Sequence, residues 1–380
     1  MSIEKIHACL LLSIIGDKIG FGNGDREFYL LDQIPKYNSS SFKIKINELS
    51  LFMLLEFIKN GGVSGIDTNK LSYSDDSIML IANTETFLTN YKNLKEYIKI
   101  LFNRYIKDFD NESIMINKYK AGIHTMNTIR LFKNKDWKNK DWKKREYENK
   151  GEGSGGSMRS SIFGIIFSYK TNLKKLIKYS IYSCMITHMN GIAIIGSLLN
   201  SLITSYALDN IDIEKWLFNG LNIIKSDIVD KIIIKKFNHI YNNYLKDKKI
   251  YIDSIELYLE QNFEKDKYKY DLNKELNPGD RLIYYYENFS YKENFFPGSN
   301  SKDSIIIAYD CLLMARDNYE KLIYYSMIHL GDSDTTGIIS SGWYGSYYGF
   351  VDKYDFLYKN DEYYNMTKKL SYNIYNKYIK

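Results

Sequence analysis

A chain of 380 residues, 44% of them hydrophobic, is long enough to bury a full core in one large or two modest domains. Lys plus Arg total 52 against 46 Asp plus Glu, and a net charge of +6 over this length is too mild to argue for nucleic acid or an anionic membrane. Cys9, Cys184 and Cys311 are scattered and form no C-x-x-C pair, and the five histidines form no H-E-x-x-H, so a disulfide scaffold and a zinc site are both excluded and a reducing compartment fits best.

Helical periodicity dominates from the first residues. A helix is predicted at 3–19; its start, 3–15, holds apolar residues but is too short to span a membrane and carries Glu4, Lys5 and His7. It reads as a core helix of a soluble, cytoplasmic protein. Further helices are predicted at 45–59, 75–89, 94–109, 121–132, 157–167, 172–187, 192–207, 213–225, 230–246, 252–263, 304–315, 319–330, 334–348 and 361–378. Only Pro35, Pro278 and Pro297 interrupt the chain, and no long alternating pattern suggests strands. The fold class is all-α, with a single domain over 1–380.

Two stretches read as loops. In 133–156, Asn134-Lys135-Asp136-Trp137 is repeated as Asn139-Lys140-Asp141-Trp142, which suggests an exposed insertion over about 133–152. A basic, aromatic nucleic-acid patch is the rival reading there. The stretch 265–303 holds two turn signals, Asn277-Pro278-Gly279-Asp280 and Pro297-Gly298-Ser299-Asn300.

Two acidic motifs each open a predicted helix. Ser74-Asp75-Asp76-Ser77 has a good N-cap and carboxylates that suit the helix dipole, so capping alone can explain it. Gly331-Asp332-Ser333-Asp334-Thr335-Thr336 is harder to explain that way. Two aspartates two residues apart diverge inside a helix but can converge at a loop-to-helix junction. Together the motifs offer four carboxylates and the hydroxyls of Ser74 and Thr335. That all-oxygen set suits Mg²⁺ or Mn²⁺. In the helix that follows, Gly337, Ser341, Gly345 and Gly349 recur every four residues and would let another helix backbone approach closely.

Other segments carry two readings. Gly151-Glu152-Gly153-Ser154-Gly155-Gly156-Ser157, leading into Met158-Arg159, is either a flexible linker or a loop that cradles a diphosphate. It is not a Walker A motif. His188, after an apolar helix, is either structural or a ligand contact. Glu27, beyond Gly22-Asn23-Gly24, is either a surface carboxylate or a residue on a lid.

The order of these pieces resembles the ADP-ribosylglycohydrolase family, and most closely its ADP-ribosylarginine hydrolases. It runs Gly16-Asp17, Asn23-Gly24 with Glu27-Phe28, Ser74-Asp75-Asp76, Gly153 to Arg159, Thr187-His188, Ile307-Ala308-Tyr309-Asp310 and Gly331-Asp332-Ser333-Asp334-Thr335. The resemblance implies a compact orthogonal helical bundle with two Mg²⁺ ions, Mn²⁺ being an alternative. It implies that Ser74, Asp75 and Asp76 serve one ion, that Asp332 and Thr335 serve the other, and that Asp334 bridges. It implies catalytic roles for Asp75, Asp76 and Glu27. Gly153, Ser154, Gly155, Gly156, Ser157, Met158, Arg159 and His188 would hold the diphosphate and distal ribose, and Tyr291, Gly298, Ser299 and Asn300 would lie toward the adenosine end.

The implied reaction is hydrolysis of the N-glycosidic bond between ADP-ribose and a protein arginine. The implied partners are mono-ADP-ribosylated proteins and the ADP-ribose product. Neither nucleic acid nor membrane is expected, and the protein is expected to be a monomer. Alternatives are a serine-ADP-ribose or O-acetyl-ADP-ribose hydrolase and a non-catalytic ADP-ribose reader. The chain departs from the family pattern at Lys18, at Met189-Asn190 and in the lysine-tryptophan loop. Those departures bear on substrate preference more than on the metal centre.

Overall fold

The computed structural model describes residues 1–36, 39–133, 142–264, 268–271, 276–290 and 296–380. Its helices run in the order α1 (Ile3–Phe21), α2 (Phe42–Lys59), α3 (Asp75–Leu88), α4 (Leu94–Asp108), α5 (Glu112–Asn117), α6 (Ile123–Lys133), α7 (Ser161–Ile166), α8 (Tyr169–Thr187) and α9 (Gly191–Leu208). They continue with α10 (Trp216–Lys225), α11 (Asp227–Phe237), α12 (Tyr241–Asn262), α13 (Pro278–Tyr285), α14 (Ser301–Ala315), α15 (Tyr319–Ser326), α16 (Ser333–Tyr348) and α17 (Tyr364–Ile374). The all-α expectation is met. Among the described residues the strands are one two-residue antiparallel pair, Phe263–Glu264 with Lys269–Tyr270.

Helix α9 is the axis of the core. Every one of its residues is buried, and it packs against α7, α8, α12, α14 and α16. It is long and apolar enough to cross a membrane, yet it is enclosed by the other helices. A helix apolar on all sides is stable only in such a place. Helix α1 is likewise buried from Ile6 to Phe21, and its main partner is α16. The small-residue stripe explains this contact. A methyl group on Gly337 would meet the carbonyl oxygen of Gly16 at 2.5 Å, and one on Gly16 would overlap the carbonyl of Gly337. The two backbones therefore touch, and α1 fixes the position at which α16 begins. Lys18, a departure from the family pattern, is buried in α1 and pairs with buried Asp361 at 2.9 Å.

Several predicted elements are corrected. The helix expected at 230–246 is broken at Asn238–Ile240, where Phe237 adopts φ −141° and ψ 39°. No proline or glycine marks that break. The loop expected at 265–303 contains α13. Asn277 caps it by accepting from the Asp280 N–H at 2.9 Å, and Pro278 occupies a first-turn position where its missing N–H costs nothing. A turn signal was in fact a helix start. The helix expected at 157–167 begins only at Ser161, and Ser154–Gly156 form a single 3₁₀ turn. Of the expected exposed insertion, 134–141 lie outside the described residues. Arg145, just beyond, is buried and donates to the Ile186 carbonyl at 2.6 Å, so this part is anchored in the wall of the molecule.

Candidate functional site

Two helix N-termini meet where the acidic motifs were expected to meet. At α3, Ser74 is the N-cap and accepts from the Asp76 N–H at 3.2 Å. At α16, Asp332 is the N-cap and accepts from the Thr335 N–H at 3.3 Å. Capping therefore holds for both motifs, including the second, where it looked the weaker account. It does not exhaust them. The Thr335 hydroxyl donates to Asp76 Oδ2 at 2.9 Å, which ties the two motifs together across 259 residues of chain.

Glu27 joins the same point. Its carboxylate and those of Asp332 and Asp334 offer oxygens that all lie within 4.8 Å of one another. The loop that carries it is held by the Phe28 N–H, which donates to the Gly331 carbonyl at 3.0 Å. The resemblance implies a catalytic role for Glu27; its position is beside the carboxylates assigned to the second ion.

The electrostatics of this cluster are severe. Burial, followed by repulsion from Asp334, pushes the Asp75 carboxyl up to about 8. Burial and the same repulsions hold Asp76 and Glu27 well above the usual carboxylate range. Asp332 is raised in the same way by burial and by Asp334. The offsetting cations, Lys120 toward Glu27 and Arg159 toward Asp75, act more weakly than these repulsions. Carboxylates crowded without compensation favour either shared protons or hard cations. Oxygen donors alone at the junction, with no sulfur or imidazole among them, fit Mg²⁺ or Mn²⁺.

Asp17 is a site residue that sequence reasoning noted but did not assign. It is fully buried and accepts from the backbone N–H groups of Ser74 and Ser77, at 3.1 Å and 3.0 Å, and from the Ser77 hydroxyl. It thus fixes the first turn of α3 from behind. Burial and Asp334 raise its carboxyl to about 7. The signal was Gly16-Asp17 itself: a buried acid in the C-terminal part of an apolar helix needs such donors.

The glycine loop forms the adjoining wall. The Ser154 N–H donates to the Ser299 carbonyl at 3.0 Å, and the Ser301 N–H donates to the Glu152 carbonyl at 2.8 Å. At the far end the Asn200 side-chain amide donates to the Ser157 carbonyl at 2.6 Å, so the loop is pinned at both ends and the linker reading fails. Ser154 Oγ lies 3.4 Å from Thr335 Oγ1, which links the loop to the acidic junction. Gly298 has φ +97°, and a methyl there would meet the Asp332 carbonyl oxygen at 2.8 Å, so glycine is required beside the N-cap of α16. Asn300 caps α14 in a capping box with Asp303. Tyr291 lies outside the described residues.

His188 faces the loop, with Nε2 3.6 Å from where a Gly153 methyl would sit. Its Nδ1 is 2.7 Å from Thr187 Oγ1, which itself accepts from Arg159 at 2.7 Å. That arrangement suits Nδ1 as acceptor and Nε2 as the protonated nitrogen toward the loop. Burial and the charges of His124, Arg159 and Arg145 hold the imidazole well below its ordinary value, so it is neutral. Ser157, Met158 and Arg159 are buried beneath the loop. The Arg159 guanidinium donates to the carbonyls of Gly155 and Ser183 and stacks 5.3 Å from the Tyr105 ring centre. It braces the loop from below.

A helical bundle that gathers Asp17, Glu27, Asp75, Asp76, Asp332 and Asp334 beside a pinned glycine loop defines a carboxylate-centred site on an all-α scaffold. The chain belongs to the ADP-ribosylglycohydrolase family, which it matches over residues 2–352, and the family places it among glycosidases. It is 30% identical over 396 aligned positions to ADP-ribosylhydrolase ARH1 of Dictyostelium discoideum, covering 98% of this chain and 94% of that protein. It is 31% identical over 344 positions to a protein of Acanthamoeba polyphaga mimivirus provisionally named an ADP-ribosyl glycohydrolase, covering 90% of this chain but 63% of the viral one. A solved ADP-ribosylglycohydrolase-related protein complex shares the fold, with a TM-score of 0.55, 14% identity and 98% coverage of both chains.

Proposed function

We propose that this protein hydrolyses the N-glycosidic bond between ADP-ribose and arginine on mono-ADP-ribosylated proteins, as a Mg²⁺-dependent cytoplasmic monomer. The observation that carries the reading is the junction of α3 and α16, where buried carboxylates converge beside the glycine loop and repel one another. Ser74, Asp75 and Asp76 would hold one ion, and Asp332 and Thr335 the other, with Asp334 shared. Such ions, when bound, neutralise the carboxylates and fix the hydroxyls of a ribose. The similarity to ADP-ribosylhydrolase ARH1 supports hydrolysis of an ADP-ribosyl linkage, and the motif resemblance through Asn23-Gly24 with Glu27-Phe28 and Asp332-Ser333-Asp334-Thr335 supports the choice of arginine.

The residues divide the remaining work. Thr335 holds Asp76 by its hydroxyl, and Asp17 holds the first turn of α3, so the acidic groups are positioned before a substrate arrives. The pinned glycine loop and neutral His188 receive the diphosphate and distal ribose without adding a competing charge. Asp75 or Asp76 orders the attacking water at the anomeric carbon, where positive charge develops and nearby carboxylates stabilise it. Asp75 or Glu27 faces the departing guanidinium, which a carboxylate orients by paired hydrogen bonds.

Matched peptides carrying ADP-ribose on arginine or on serine, incubated side by side with the protein and MgCl₂, test the linkage. Faster release from arginine is expected. Faster release from serine would move the protein to the O-linked branch.

A further inference from the structure

A second concave region lies away from the acidic junction. It is a groove of about 1640 Å³ between α4, α8 and α11, lined also by Phe132 and Trp142. Among the described residues lining it, eight are lysines and one, Glu96, is acidic. Lys99 on α4, Lys174 and Lys178 on α8 and Lys235 on α11 are exposed and stand on separate walls. Lys231 is bound to Asp227, at 2.6 Å, and Lys143 lies over the Trp142 and Tyr182 rings. The floor is apolar, with Ile98, Phe102, Ile106, Ile228 and Ile232. Lys178 precedes His188 by ten residues on α8, so the groove sits roughly 15 Å along that helix from the site.

We infer that this groove docks an acidic amphipathic helix of a partner polypeptide. Charge complementarity sets the rim: carboxylates must face lysines on both walls. The aliphatic floor sets the rest, since it needs Leu- or Ile-like side chains at helical spacing, which a nucleic acid does not supply. The size agrees. A helix of ~10–12 Å diameter rising ~1.5 Å per residue fills this volume with roughly three turns. Two walls of different helices enclose such a rod, whereas a membrane surface is flat.

The test uses the full chain and a fluorescein-labelled peptide of about 14 residues, built of Glu and Leu with the leucines on one helical face. Controls are a peptide of the same composition with the leucines dispersed, and an oligo-dT strand. The variant carries Lys99→Glu, Lys174→Glu, Lys178→Glu and Lys235→Glu, all exposed, with circular dichroism and Tm checking the fold. Fluorescence anisotropy is expected to show binding of the amphipathic peptide that weakens about tenfold or more, ~1.4 kcal/mol, both in the variant and on dispersing the leucines. Equal binding of the dispersed peptide, unchanged binding by the folded variant, or no binding by the unaltered chain would overturn the inference. Tighter binding of oligo-dT would assign the groove to nucleic acid instead. A dimer in sedimentation that the variant abolishes would assign it to a second copy of the chain.

Discussion

The carboxylate junction makes the stability of the protein depend on pH and on divalent cations in a linked way. Burial and Asp334 push the carboxyls of Asp17 and Asp75 up to about 7 and about 8 in the folded chain, well above the ordinary 3.8. Between those limits the folded chain binds more protons than the unfolded one, so cation-free stability must fall as pH rises. Each unit of raised pKa corresponds to ~1.4 kcal/mol. Asp17 and Asp75 share one mutual repulsion, counted once, and the loss is on the order of several kcal/mol by about pH 8. His7 and His329 act in the opposite sense, because burial holds them near 4, but their contribution is complete by about pH 6.5. The clean window is therefore about pH 6.5 to 8. A cation that takes the place of the protons adds ~2.7 kcal/mol when present at about 100 times its Kd. Differential scanning fluorimetry in EDTA and in millimolar MgCl₂ reads both effects. Tm in EDTA should fall from about pH 6.5 to 8, the Mg²⁺ shift should grow over the same range, and Asp75→Asn should flatten both. A Tm in EDTA that rises through this window, or a Mg²⁺ shift that shrinks with rising pH, would refute the reasoning.

Turnover should separate the two aspartates of α16. Asp334→Ala should lose more activity than Asp332→Ala, and each should fall by well over ~10²-fold if it orders the reacting centre; near-normal kcat for folded Asp334→Ala would reject its shared role. Removing Glu27 should slow hydrolysis while leaving the Mg²⁺-induced Tm shift largely intact, because Asp75, Asp76, Asp332 and Asp334 remain; unchanged kinetics would return Glu27 to the surface-carboxylate reading. Gly16→Ala should destabilise the fold by about 1–2 kcal/mol in urea unfolding, since a methyl there would overlap the Gly337 backbone and the strain of parting α1 from α16, ~2–3 kcal/mol at the upper end for overpacking, exceeds the ~1 kcal/mol gained in helix propensity.

The acidic junction was legible because its residues announce themselves at helix starts. Ser74-Asp75-Asp76 and Asp332-Ser333-Asp334-Thr335 each combine a cap with more carboxylate than a cap requires. The stripe from Gly337 to Gly345 likewise foretold a close helix crossing, though not that α1 would be its partner. Long-range pairings were out of reach. Nothing local says that Asp17 reaches Ser74 and Ser77, or that Lys18 needs Asp361. The break at Asn238–Ile240 has no sequence signal, because the conformation of Phe237 is set by tertiary contact, including His239 Nε2 at 2.8 Å from the Arg145 carbonyl. Asn277-Pro278-Gly279-Asp280 misled for the reverse reason: the same residues that favour a turn also cap a helix and begin it.

The central claim is that this chain cleaves ADP-ribose from arginine through a cation-dependent carboxylate junction. The most direct measurement is the rate of free ADP-ribose release from an arginine-ADP-ribosylated peptide, followed by mass spectrometry, with the protein stripped of metal and then resupplied with MgCl₂ or MnCl₂. Release should be absent in EDTA and restored by either cation. Full release in EDTA, or none with either cation, would contradict the account.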